Sequence, residues 1–136
     1  MTGPLDLSPL AKAIERLDEG VERCRREPGD LQVRDGLVQR FEFTYELAHK
    51  MLKRHLEQIV PDPSEVDRLV FADLIRIGFE RGLLAQGWPA WRTYREMRSR
   101  TSHAYDEAMA QAVVDGIPAF LDEVRVLLDR LRSEAR

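Results

Sequence analysis

Apolar residues recur every three or four positions along most of the chain, and the breaks between these runs mark out helices. Leu10, Ile14, Leu17, Val21 and Cys24 form the first run. It opens at Ser8 or Pro9 and stops at the turn-forming "EPGD" of residues 27–30. From about Leu31 to Ile59 the positions Leu37, Phe41, Tyr45, Ala48, Leu52, Leu56 and Ile59 step by 4, 4, 3, 4, 4 and 3. This spacing predicts one long amphipathic helix. A second stripe on the same helix, Phe43, Leu47 and Met51, lies on another face, so its middle is expected to be covered on two sides, by the core and by a partner. "PDPS" at 61–64 is loop chemistry, with Ser64 as an N-cap for a third helical unit through Val70, Phe71, Leu74, Ile75 and Phe79. Gly82 fits the C-cap of that unit.

A fourth helix is expected from about Pro89 to Ser102, marked by Trp88, Trp91, Tyr94 and Met97. Asp106 and Glu107 suit the cap and first turn of the next helical segment, and "DGIP" at 115–118 is expected to interrupt or kink it. The last helix carries Ile117, Phe120, Leu121, Val124, Leu127, Leu128 and Leu131 in a seam. No segment alternates with period two. The pattern predicts a single all-α domain over 1–136, an antiparallel bundle of about five helices, four of which build the core.

Composition narrows what such a bundle does. A chain of 136 residues buries enough apolar surface for one core. The net charge of -3 excludes a protein that gathers nucleic acid by its overall field, so any such site is a local patch. The single Cys24 excludes an internal disulfide and a cysteine-based zinc cluster and fits a reducing compartment. With no signal-like N-terminus and no run of the roughly 18 apolar residues a membrane span needs, the expected location is the cytoplasm. No metal or cofactor is expected either. His49 and His55 stand six apart, about 240° around a helix, and cannot share an ion. Glycine-rich phosphate loops and serine-hydrolase motifs are missing.

The candidate chemistry is concentrated in "WRTYREMRSRTSHAYDE". Residues 91–100 hold four arginines and one glutamate, a local charge of +3. Arg92, Arg95 and Arg98 lie along one slanting face where they could receive an anion, with Trp91 and Tyr94 beside them to stack on bases. The alternative is a solvated face that pairs with Glu96 and with acids of neighbouring helices. Arg98 and His103 are five apart, about 140° around an ideal helix. They converge only if the helix frays near Ser102 or if two copies meet; Ser99 is the residue that shares the face of His103. A histidine or tyrosine at a helix end also has ordinary readings, a cation on the helix dipole for His103 and a half-buried ring with a wet hydroxyl for Tyr105. Glu42 and Glu46 share a face with Lys50, which predicts a Glu46–Lys50 ion pair.

"RFEFTYELAHKMLKRHLE" at 40–57 followed by "YREMRSRTSHAYDE" at 94–107 resembles the nucleotidyltransferase substrate-binding protein family. This family belongs to the wider HEPN group, which includes the HepT-like toxins of HEPN–nucleotidyltransferase toxin–antitoxin pairs. The most specific element is an arginine, four residues, a histidine, one residue and a tyrosine, matched by Arg98, His103 and Tyr105. The resemblance implies a helical bundle that forms a homodimer and works beside a cognate minimal nucleotidyltransferase. It further implies a metal-independent ribonuclease site at the dimer interface, made by Arg98 and His103, and silenced when the partner transfers AMP to Tyr105. Arg95, Arg92, Tyr94 and Ser99 are the candidate contacts to RNA or nucleotide. Two positions depart from the pattern: Ser99 stands where an asparagine often follows the arginine, and His49 where relatives usually carry tryptophan. A non-catalytic subunit that binds substrate or nucleotide for a two-component nucleotidyltransferase is the competing expectation.

Overall fold

The computed structural model of the protein describes residues 4–134. Its elements are α1 (Ser8–Arg26), α2 (Leu31–Ile59), α3 (Pro63–Asp67), α4 (Phe71–Glu80), α5 (Trp88–Arg100), a 3₁₀ turn η1 (Thr101–His103) and α6 (Glu107–Glu134). No strand occurs among the described residues. The α1–α2 turn is short because Asp30 caps α2 directly, its Oδ1 accepting from the amides of Gln32 and Val33 at 2.9 and 3.2 Å. α1 and α2 therefore fold back on one another, α6 packs against both, and α5 lies along α6.

The apolar stripes of these four helices make the core, and its centre is aromatic. The rings of Phe41 and Phe120 meet edge to face at 4.8 Å, and those of Trp91 and Tyr94 at 5.3 Å. Tyr94 also meets Phe120 at 5.3 Å. Pairs of this geometry contribute about 0.5–1.5 kcal/mol each beyond the burial of their area. α4 packs against α2 and α5 and buries Leu74 and Ile75. It ends at Gly82, whose φ of +78° lets the amides of Leu83 and Gly82 turn back to the carbonyls of Gly78 and Phe79.

Three expectations are corrected. The third helical unit is two helices, α3 and α4, separated at residues 68–70. Its N-cap is Asp62 rather than Ser64: the Asp62 carboxylate accepts from the Ser64 amide at 3.0 Å, and the Ser64 hydroxyl donates to the same oxygen. "DGIP" does not interrupt α6, which runs through Pro118 without ending. Gly116 serves packing instead. A Cβ there would lie 2.6 Å from Sδ of Met97, so the glycine leaves room on α6 for the end of the Met97 side chain.

The second stripe on α2 is divided between core and surface within the chain. Met51 is in the core, whereas Phe43 is 65% exposed and Leu47 is half-buried. No helix among the described residues is long and apolar enough to cross a membrane.

Candidate functional site

The polar end of α5 is positioned by the apolar stripe beneath it. Trp91, Tyr94 and Met97 recur at i, i+3 and i+6 and all three are buried, which turns the residue after each outward. Those residues are Arg92, Arg95 and Arg98, and each meets a different neighbour. Arg92 pairs with Glu96 at 3.5 Å on the exposed side of α5. The Arg95 guanidinium lies over the ring of Phe71, 5.8 Å from its centroid, a cation–π contact across to α4.

Arg98 faces α2. Its Nε donates to Oε1 of Glu46 at 2.8 Å, and its Nη2 lies 3.4 Å from Oε1 of Glu42. Its Nη1 donates to the Thr101 hydroxyl at 3.0 Å. The expected pairing of Glu46 with Lys50 is thereby corrected, because the Glu46 carboxylate turns to Arg98 across the helix interface.

At Thr101 the helix tightens into η1. The Thr101 hydroxyl donates to the carbonyl of Arg98 at 2.7 Å, and the amide of Ala104 donates to the carbonyl of Thr101 at 3.3 Å. The chain then turns again, the Asp106 amide donating to the carbonyl of His103 at 3.0 Å. As anticipated, Asp106 caps α6, its Oδ1 accepting from the Met109 amide at 3.1 Å. These linked turns present His103 and Tyr105 to solvent, their rings 6.1 Å apart and steeply inclined. The helix does tighten just before Ser102, but Arg98 stays turned to α2 while the ring beside His103 is that of Tyr105. Ser99 is exposed, and its carbonyl accepts from the Ser102 hydroxyl at 2.8 Å.

The three tyrosines of the chain differ sharply. Tyr45 and Tyr94 are 5% and 3% exposed, and burial pushes each phenol up to about 12, helped at Tyr94 by Glu123 and Asp122. Tyr105 is 85% exposed. The expectation that Tyr94 and Trp91 stack on bases is corrected by the same burial: Tyr94 donates to Oε1 of Gln86, and Trp91 donates its indole N–H to Glu123 at 3.0 Å.

Beside Arg98 runs a groove of about 530 Å³ along α2, lined by Glu42, Phe43, Glu46, Leu47, His49, Lys50 and Lys53. It adjoins the arginine through the two shared glutamates. His49 sits edge-on to Phe71 at 4.9 Å, and burial lowers its pKa from the ordinary 6.5, with Glu46 opposing the shift and Lys53 adding to it.

Thr101 and Glu42 hold Arg98; the sequence left acids of neighbouring helices open as partners of the arginine face without naming Glu42 among them. For Glu42 and Glu46 a signal existed: two acids one turn apart on α2 complement the excess of positive charge on α5. Thr101 carried no such mark.

The chain matches the family described as nucleotidyltransferase substrate binding protein like over residues 5–133. It is 38% identical over 141 residues to a protein of Haemophilus influenzae named probable ribonuclease HepT, a similarity covering 98% of this chain and 96% of that one. A solved structure of the Haemophilus influenzae protein HI0074 superposes with a TM-score of 0.87 at 35% identity, covering 93% of this chain and 99% of the other. That structure is described as the fold of a substrate binding domain of a nucleotidyltransferase.

Proposed function

The chain belongs to the nucleotidyltransferase substrate-binding protein family, and from that premise we propose that it is the helical partner of a minimal nucleotidyltransferase and the toxin of the pair. In this reading it is a metal-independent ribonuclease acting through Arg98 and His103, and AMP transfer to Tyr105 silences it. The relative named as a probable ribonuclease supports the activity. The observation that carries the switch is exposure: of three tyrosines, Tyr105 alone offers its hydroxyl freely to a second protein, and it stands beside His103.

The chemistry derives from the side chains. His103 takes the proton of an RNA 2′-hydroxyl, whose oxygen bonds to the adjacent phosphorus while the bond to the 5′-oxygen breaks. The products are a 2′,3′-cyclic phosphate and a 5′-hydroxyl that receives a proton. Positioned acid–base catalysis of this kind contributes about 10² to 10⁴ in rate. Arg98 steadies the phosphorane charge. Hydrogen bonds to Glu46 and Thr101 engage two of its five N–H groups, which leaves others for phosphate oxygens. Silencing is a separate transfer: the Tyr105 oxygen bonds to the α-phosphorus of ATP, pyrophosphate leaves, and the phenolic proton passes to solvent. The tyrosine then carries a phosphodiester charge and a bulky base beside His103.

In this reading two chains share the site, because Arg98 looks toward α2 and the exposed Phe43 of the adjoining groove supplies an apolar contact for a second copy. The double carboxylate pairing of Arg98 and the serine at position 99 favour the competing reading, a subunit that binds nucleotide without cleaving RNA.

One set of measurements separates them. Wild type, His103→Ala and Tyr105→Phe are incubated with RNA in EDTA. The ribonuclease reading expects cleavage by wild type and Tyr105→Phe and none by His103→Ala; no cleavage, or equal cleavage by all three, leaves only the binding subunit. Mass spectrometry after incubation with the nucleotidyltransferase and ATP is expected to find AMP on Tyr105, and an unmodified tyrosine removes the switch.

A further inference from the structure

We infer that Thr101 is a positioning residue for the ribonuclease reaction proposed above, a joint that holds the Arg98 guanidinium in fixed relation to the turn bearing His103. The inference rests on that reaction.

Thr101 is 9% exposed, and its hydroxyl makes two bonds to the same residue. It accepts from Nη1 of Arg98 at 3.0 Å and donates to the Arg98 carbonyl at 2.7 Å. The first bond fixes the outer edge of the guanidinium. The second draws the chain back on the preceding turn, the local bonding by which serine and threonine compete with regular helix. Thr101 is also the first residue of η1, and its carbonyl accepts the Ala104 amide that closes the turn. One hydroxyl thus ties the phosphate-binding side chain to the backbone that delivers the proton-moving side chain two residues later.

From the opposite edge Glu46 grips Nε at 2.8 Å. With α2 on one side and Thr101 on the other, the planar head of Arg98 has both edges set before substrate arrives. A long side chain otherwise samples many rotamers, and a site loose by about 1 Å loses on the order of 10² in rate.

The test compares Thr101→Val, which keeps the shape and removes both hydroxyl bonds, with Thr101→Ser, which keeps the hydroxyl and removes the methyl. Thermal unfolding is recorded for each, and Thr101→Ala replaces the valine variant if that one does not fold. With RNA as substrate, Thr101→Val is expected to lose about 10- to 100-fold in kcat with a smaller rise in KM, and Thr101→Ser to stay within about threefold of wild type.

Side-chain NMR of the arginine N–H groups gives a readout independent of activity. Rotation of the Arg98 guanidinium is expected to be slow in wild type and Thr101→Ser and fast in Thr101→Val. A valine variant that cleaves like wild type, or one whose Arg98 signal is unchanged, overturns the inference; so does a serine variant as impaired as the valine one. Wild type that leaves RNA intact sinks the ribonuclease reading and the catalytic part of the inference together, while the guanidinium signal still decides whether Thr101 holds Arg98.

Discussion

Glu123 makes the sharpest test of how the bundle is held together, because a carboxylate 2% exposed satisfies three donors from another part of the chain. Its Oε1 accepts from the Ala85 amide at 3.0 Å, and its Oε2 accepts from the Gln86 amide at 2.8 Å and the Trp91 indole at 3.0 Å. Glu123 thus fastens the α4–α5 connection to α6, where Arg130 also donates to the Gly82 carbonyl at 2.8 Å. Burial raises the carboxyl pKa above its ordinary value, and the three N–H groups offset only part of that rise. In Glu123→Ala all three donors lose their acceptor. An orphaned buried donor costs about 1–3 kcal/mol, and water entering the vacated space relieves part of the sum, so a loss of about 3–5 kcal/mol is expected. In Glu123→Gln the best placement puts the amide oxygen at the Oε2 position, which preserves the bonds to Gln86 and Trp91 and sets the NH₂ against the Ala85 amide. One bond fails, for a loss of about 1–3 kcal/mol. Urea denaturation at neutral pH followed by far-ultraviolet circular dichroism measures both, provided the slope with urea is unchanged. The reasoning is refuted if glutamine matches wild type, or if alanine costs no more than glutamine.

Other residues carry expectations of their own. Because burial holds the His49 pKa below 6.5 in the fold, the unfolded chain binds the proton first as pH falls. This group's stabilising contribution is therefore complete above 6.5 and lost on acidification from there toward the lower folded value; His49→Phe, which keeps a ring against Phe71, should flatten that part of a stability-against-pH curve. Gly82→Ala forces a Cβ into the left-handed region at φ +78° and should cost about 1 kcal/mol in the same urea assay. Arg98→Lys retains the charge but cannot reach Glu46 and Thr101 together; it should fold normally by circular dichroism and lose about 10²-fold in RNA cleavage, and near-wild-type cleavage would mean that a point charge suffices.

Local periodicity carried most of the architecture. α1 and α2 each follow an uninterrupted stripe between strong turn signals, and Asp106 and Gly82 have the chemistry their caps require. Some misreadings are local, as where Asp62 and not Ser64 caps α3, and others come from a local pattern overruled by a contact distant in sequence. Gly116 and Pro118 look like breakers until Met97 of α5 occupies the space above the glycine. The stripe Phe43, Leu47 and Met51 advances about 40° per step, so a face that begins in solvent at Phe43 has rotated into the core by Met51. Trp91 and Tyr94 alternate with arginines in a way that suits a base-stacking surface, and only the presence of Phe120 and Glu123 makes them core. Glu46 had Lys50 in reach by spacing, yet its partner lies 52 residues away. Within the motif, the spacing of Arg98, His103 and Tyr105 stands out in the sequence, whereas the turning of Arg98 toward α2 does not, because it depends on how α2 lies against α5.

The chain has two tryptophans, Trp88 and Trp91, and both stand in the first turn of α5. Trp91 is fixed by Glu123 and lies within 6.5 Å of the Tyr45 and Tyr94 rings, and Trp88 meets Phe71 at 6.0 Å. All indole emission of the unlabelled protein therefore originates at one junction, at the foot of the helix that carries Arg98, with two tyrosines close enough to feed it excitation. The molecule has an optical reporter built into the root of its candidate site.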